Sequence, residues 1–127
     1  MKIAIIGSRT FNDYNRLKRI LDLYPISKMI SGKAEGADSL GERYADENEI
    51  IKKIYPAKWD DLTVEPCVIK TNKHGKQYNA LAGFNRNTDI IKNCDMVIAC
   101  WDGKSPGTKD SLDKAQEFKK TTLIAYF

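Results

Sequence analysis

Residues 2–10 read Lys2-Ile3-Ala4-Ile5-Ile6-Gly7-Ser8-Arg9-Thr10. Ile3–Ile6 is an unbroken apolar run with no polar face, the pattern of a strand buried on both sides in a parallel sheet. Gly7 follows at once and allows a tight turn. The same unit recurs along the chain. Met29-Ile30 forms a second short strand running into Ser31-Gly32, Ile50–Tyr55 a third stopped by Pro56, Met96–Cys100 a fourth, and Thr122–Tyr126 a fifth. Amphipathic stretches separate them. Asn12 or Asp13 caps a helix running to about Tyr24, with Leu17, Ile20, Leu21 and Tyr24 on one face. A second helix covers Ala37 to about Asn48, with Leu40 and Tyr44 inward. A third covers Ala80–Asn93 with Leu81, Phe84, Thr88 and Ile91 aligned toward the core, and a fourth runs from Gly107 to Lys120 with Leu112, Ala115 and Phe118 inward. The alternation predicts one α/β domain over residues 1–127, a five-stranded parallel sheet in the order 3-2-1-4-5 with helices on both faces. Residues 56–79 break the rhythm with Pro56, Pro66, Gly75 and the lysines 70, 73 and 76. They read as a basic loop insertion with a possible small strand at Cys67–Lys70.

The composition fits that class. The chain has 127 residues, 42% hydrophobic and 30% charged, with a net charge of +4. That is enough chain to bury a core without disulfides or a structural metal. No apolar run approaches a membrane span, and Ile3–Ile6 is too short for a signal-peptide core, so a cytoplasmic protein is expected. Three cysteines (Cys67, Cys94, Cys100) without CxxC spacing read as reduced thiols, and packing at the fourth strand accounts for Cys94 and Cys100. With His74 as the one histidine, neither a zinc site nor a Ser-His-Asp triad is expected. The mild positive excess leans toward anionic partners.

Three strands end in glycine-bearing turns: Gly7-Ser8-Arg9-Thr10, then Ser31-Gly32-Lys33-Ala34-Glu35-Gly36-Ala37-Asp38, then Trp101-Asp102-Gly103-Lys104-Ser105-Pro106-Gly107-Thr108. In the expected order the three strands are neighbours, and their turns meet at one carboxyl edge across the topological switch point. Gly36-Ala37 and Gly107-Thr108 open helices whose N-termini favour an anion. Ser8, Ser31, Ser105 and Thr108 add hydroxyls, and Arg9 adds a cation. Neither a Walker A motif nor a GxGxxG fingerprint is present. Asp38 stands in the first turn of its helix, and its carboxylate suits either the helix dipole or ligand hydroxyls. The apolar stripe of the third helix points Arg86 and Asn87 away from the core, toward a phosphate or a partner subunit. Trp59 and Trp101 follow strand ends and could stack a base. Gly103 and His74 read as ordinary loop residues.

These residues also carry a family likeness. Gly7-Ser8-Arg9-Thr10-Phe11, Ser31-Gly32-x-Ala34-x-Gly36-Ala37-Asp38, Tyr55-Pro56-Ala57-x-Trp59, Ala82-Gly83-x-x-Arg86-Asn87 and Trp101-Asp102-Gly103-x-Ser105-x-Gly107-Thr108 resemble the YspA/YpsA-related branch of the SLOG superfamily, which unites the DNA-processing protein Smf, the Lonely Guy enzymes and many nucleotide-sensing domains. The resemblance implies a Rossmann-like fold and a pocket for a nucleotide or nucleotide-derived ligand, with relatives in defence, stress signalling and phages. It implies that Gly7, Ser8, Arg9, Gly32, Gly36, Ala37 and Asp38 line two loops, that Gly107 and Thr108 hold a phosphate, and that Arg86 and Asn87 approach from the third helix. Members often dimerise through helices near the pocket. Ser111 stands where the Lonely Guy enzymes carry a catalytic glutamate, so phosphoribohydrolase activity does not carry over.

The leading expectation is therefore a ligand-binding sensor or sequestering protein needing no cofactor or metal. A nucleotide hydrolase working through Asp38, Arg86 and Asp102 is the alternative. Single-stranded DNA binding is the third; it rests on Lys70, Lys73 and Lys76 and on ten basic against seven acidic residues in 65–127.

Overall fold

The computed structural model describes residues 1–127. The elements follow as β1 (Lys2–Gly7), α1 (Tyr14–Leu21), β2 (Lys28–Ser31), α2 (Ala37–Glu47), β3 (Ile51–Ile54), β4 (Ile69–Thr71), β5 (Gln77–Asn79), α3 (Ala82–Lys92), β6 (Met96–Trp101), α4 (Pro106–Glu117) and β7 (Thr121–Tyr126). Five strands form one sheet, β3-β2-β1-β6-β7. Every pairing in it is parallel, with Ile3 opposite both Met29 and Met96. This is the Rossmann-like α/β order expected from the alternation. No helix is long and apolar enough to cross a membrane.

Strand alternation sorts the core into two layers. Ile3 and Ile5 of β1, Met29 of β2 and Ile98 of β6 pack under α1 and α2 with Leu17, Leu21, Tyr44 and Ala45. Ala4, Ile6, Ile30, Val97 and Ala99 face the other way, against Ile90 and Ile91 of α3 and Ala115 of α4. Burial on both faces is why β1 and β6 carry no polar side chain between their ends. Cys94 and Cys100 are packed inside these layers, and burial pushes the Cys100 thiol up to about 11, far from a reactive thiolate.

Three expectations change. The α1 helix, capped by Asp13 through its bond from the Arg16 N–H, ends at Leu21. Beyond it Leu23 and Tyr24 donate to carbonyls three residues back, a tightening that closes the helix before Tyr24. Second, α3 is rotated from the predicted face. Ala82, Asn87, Ile90 and Ile91 are its buried residues, while Phe84 is 43% exposed. One side of α3 borders a polar cleft, so part of its inward face is hydrophilic and the apolar stripe misreads the orientation. Third, residues 56–79 are more than a loop. β4 and β5 pair antiparallel, Ile69 opposite Asn79, and the strand at this place starts two residues after Cys67. Asn79 roots the hairpin: it is fully buried, its N–H donates to the Trp59 carbonyl (2.8 Å), and its Oδ1 accepts from the Val68 and Leu81 N–H groups.

Candidate functional site

The carboxyl ends of β1, β2 and β6 open on a cleft of about 380 Å³. Gly7, Ser8, Arg9 and Thr10 line it from the β1 turn, and Ala34 and Asp38 from the β2 turn and α2. Asp102, Ser105, Gly107, Thr108 and Ser111 come from the β6 turn and α4, and Arg86, Asn87 and Ile90 from α3. The three glycine turns do meet at one edge. The site is polar on nearly every side, as an anion or a sugar requires.

The two helix N-termini differ. At α2 the Ala37 N–H donates to the Ser8 carbonyl (3.4 Å), and Asp38 puts a carboxylate in the first turn. That end is already neutralised. Gly36 makes this closure possible: its φ is +75°, and a Cβ there would lie 2.3 Å from the Ser8 carbonyl oxygen. At α4 no acidic residue stands in the first turn and no side chain caps it. Pro106 at the start has no N–H to satisfy. The Gly107 and Thr108 N–H groups find no acceptor within the chain, and both residues line the cleft. Unpaired N–H groups at the positive end of a helix are the strongest anion cradle in the cleft.

The reason Ser105 leaves α4 uncapped lies next door. The Asp102 N–H donates to Ser8 Oγ (3.1 Å), Ser8 and Ser105 Oγ are 2.9 Å apart, and the Ser105 hydroxyl reaches Asp102 Oδ1 at 3.0 Å. One assignment satisfies all three groups: Asp102 N–H to Ser8, Ser8 O–H to Ser105, Ser105 O–H back to the carboxylate. The Lys104 and Ser105 N–H groups also donate to Asp102, which holds its carboxyl down to about 2. This ring clamps the β1 turn to the β6 turn. The Ser8 and Ser105 hydroxyls, expected to serve a ligand, are engaged in it. Gly103, with φ of +80° and open space around it, is the turn residue that lets Asp102 fold back.

Across the cleft a second network centres on Gly32. Its N–H donates to Asp38 Oδ2 (3.0 Å), and its carbonyl accepts from Arg86 Nη1 (2.7 Å). A side chain at Gly32 would collide with the guanidinium, since a Cβ there lies 2.6 Å from Nη1. Arg86 Nε–H donates to Asn87 Oδ1 (3.0 Å), and Asn87 Nδ2 donates to Asp110 Oδ2 (3.2 Å), itself paired with Lys114 at 2.7 Å. Arg86 is therefore aimed by both Gly32 and Asn87. Five guanidinium N–H groups minus these two bonds leave three for a ligand. Burial drives the Asp38 carboxyl up to about 6, against the opposing pull of the Gly32 N–H and the Arg86 charge. Burial likewise lowers Arg86 from its ordinary value, with Arg9 adding repulsion and Asp38 opposing both.

Not every expected residue reaches the cleft. Ser31 is 1% exposed, lies beneath the surface and leaves its Oγ without a partner. Gly32, Gly36 and Ala37 shape the walls without lining them. Trp101 turns away: its indole N–H donates to the Ser105 carbonyl (3.2 Å) and its ring packs on Tyr126 at 5.8 Å. Trp59 sits at the foot of the hairpin, edge-on to Tyr78 at 6.5 Å. His74 is in the β4–β5 turn, its backbone N–H held by Asn72 Oδ1. Arg86 and Asn87, directed away from the core by the periodicity, both line the cleft, and Asn87 is buried. Ile6, Thr10, Ala34, Ile90, Pro106 and Ser111 also line the cleft but were not singled out as ligand-binding. Closeness in sequence to the three turns was the available signal for all of them except Ile90, which comes from α3.

Fold and cleft together define an open, doubly wound α/β protein with a polar cleft at the switch point between β1 and β6, the place where ligands bind in such sheets. Residues 1–61, which carry the first two glycine turns, match the YspA, cpYpsA-related SLOG family. The match takes in 61 of the chain's 127 residues and makes the chain similar to that family. No curated protein matches it. Among solved structures, DNA processing protein A from Streptococcus pneumoniae is similar over 97% of this chain and 49% of its own, with a TM-score of 0.73 and 21% identity. The Helicobacter pylori protein of that name, described for its single-stranded DNA binding mode, is similar over 98% of this chain and 64% of its own, with a TM-score of 0.67 and 24% identity. The chain thus spans about half to two thirds of the length of these neighbours. At such identities the likeness is one of fold.

Proposed function

We propose that this protein binds a nucleotide or nucleotide-derived ligand in the switch-point cleft, as a sensor or sequestering protein. The observation that carries the reading is the uncapped α4 N-terminus in a cleft that Arg9 and Arg86 also line. The Gly107 and Thr108 N–H groups and the Thr108 hydroxyl take a phosphate, and Arg86 and Arg9 balance its charge. The Asp102 and Asp38 carboxylates are held by backbone N–H groups of their own turns, which supports binding over turnover. Isothermal titration with a panel of mono-, di- and cyclic nucleotides tests it. Micromolar to low-millimolar binding of at least one, weakened by phosphate ions, is expected. Silence across the panel at millimolar ligand overturns it.

A second reading is single-stranded DNA, favoured by the fold shared with the H. pylori protein and by Lys70 and Lys73 on the exposed hairpin. Oligonucleotide affinity would then fall steeply between low and moderate salt. A flat salt response removes this reading.

A further inference from the structure

Arg86 lines a second cleft as well as the first. This one, of about 620 Å³, lies between α3, the edge strand β3 and the 56–66 segment. Ligand pockets run from about 300 to 1,000 Å³. Each cleft falls within that range, and Arg86 borders both.

The lining of the second cleft is two-sided. Lys53, Lys58 and Lys92 reach it, and none has a carboxylate within ion-pair distance; the chain's ion pairs use Lys18, Lys52, Lys76, Lys109, Lys114 and Arg43 instead. Tyr55 is half-buried in the wall with the Lys53 ammonium 5.3 Å from its ring centroid, and Ile54 and Val64 continue the apolar side. Two carboxylates, Glu65 and Asp89, also face it. Cations without partners suit phosphate, an aromatic face suits a base, and carboxylates accept the amino or hydroxyl hydrogens of a base or sugar.

We infer that the second cleft holds a second nucleotide unit, so that the ligand consists of two nucleosides joined through phosphate, with the linking phosphate on the free N–H groups of Arg86. This rests on the nucleotide reading of the first cleft. The base of the second unit takes the place of the Lys53 ammonium over the Tyr55 ring, and Lys53, released from it, meets the phosphate oxygens together with Lys58.

Titration of AMP, GMP, the 5′-phosphorylated dinucleotides pApA and pGpG, and the matching hexanucleotides at low salt tests the inference. The better dinucleotide binds about tenfold or more tighter than its mononucleotide, because one stacked base with added charge contacts is worth at least that factor. The hexanucleotide binds no tighter than the dinucleotide. Lys53→Glu with Lys58→Glu, both exposed and unpaired, leaves the circular dichroism spectrum and mononucleotide affinity unchanged and abolishes the dinucleotide advantage. Equal affinity for mono- and dinucleotide overturns the second subsite while leaving the first cleft's reading standing. A further rise at six nucleotides overturns the two-unit limit. Silence of every probe removes both readings.

Discussion

Replacing Arg86 by methionine separates the structural from the electrostatic work of the Gly32 network. Methionine keeps most of the apolar stem and loses the guanidinium. The substitution removes the 2.7 Å bond to the Gly32 carbonyl and the 3.0 Å bond to Asn87. A hydrogen bond from a charged group contributes about 1.5–3 kcal/mol, and the partly buried cation itself costs some desolvation, so a loss of about 2 kcal/mol is expected. A second effect depends on pH. Asp38 has a folded-state pKa of about 6 against 3.8 for an unperturbed carboxyl, and Arg86 is the charge that keeps it from rising further. A raised carboxyl pKa means stability present at low pH and lost as pH climbs through the folded pKa. Without Arg86 that pKa rises, and the loss extends to higher pH. At pH 4.5 Asp38 is protonated in both folded proteins, so the variant lacks only the hydrogen bonds. At pH 8 it also lacks the charge compensation, and the deficit grows by about 1 kcal/mol or more for each further pKa unit. Urea unfolding at the two pH values, followed by circular dichroism, measures both parts. An equal deficit at pH 4.5 and 8 would refute the electrostatic coupling, and a deficit below about 0.5 kcal/mol at both would refute the network altogether.

Three more predictions follow from the same geometry. Asp38→Asn keeps the oxygen that accepts from Gly32 but cannot ionise; relative to wild type it gains stability between about pH 4 and 6, by up to about 3 kcal/mol, read from chemical denaturation across that window. Gly36→Ala forces a Cβ toward the Ser8 and Arg9 carbonyls at positive φ, so a stability loss of about 2 kcal/mol and a lowered Tm are expected in thermal unfolding. Thr108→Val is close to isosteric and leaves the fold intact while weakening the phosphate-bearing ligand about three- to tenfold, checked by titration; unchanged affinity would move the phosphate away from α4.

The sheet order was legible because β1, β2 and β6 are buried on both faces, and such strands announce themselves as apolar runs next to glycine turns. Their neighbourhood in the sheet then brings Gly7, Gly32 and Gly107 together without further information. The orientation of α3 was not legible. Phe84 is an aromatic at core spacing, yet it lies outside with the Lys114 ammonium 5.6 Å from its ring, while the polar Asn87 is inside because Arg86 and Asp110 supply its partners. Hydrophobic periodicity sees neither partner. The ring of Ser8, Ser105 and Asp102 was hidden for a related reason: hydroxyls near a glycine turn read alike whether they serve a ligand or one another. The second cleft depends on where the 56–66 segment folds back on α3, a long-range packing that no local pattern encodes.

The root of the hairpin has a consequence in chain entropy. Because Asn79 is hydrogen-bonded to Trp59, and Ala80 to Val68, the intervening segment begins and ends at fixed, adjacent points. The parallel sheet therefore experiences it as a closed excursion whose length is almost irrelevant. Doubling a flexible loop costs only about 0.6 kcal/mol of closure entropy. The tip beyond Asn72, around Lys73 and Gly75, is the place where this chain can lengthen, shorten or accept a grafted sequence with least disturbance to the cleft.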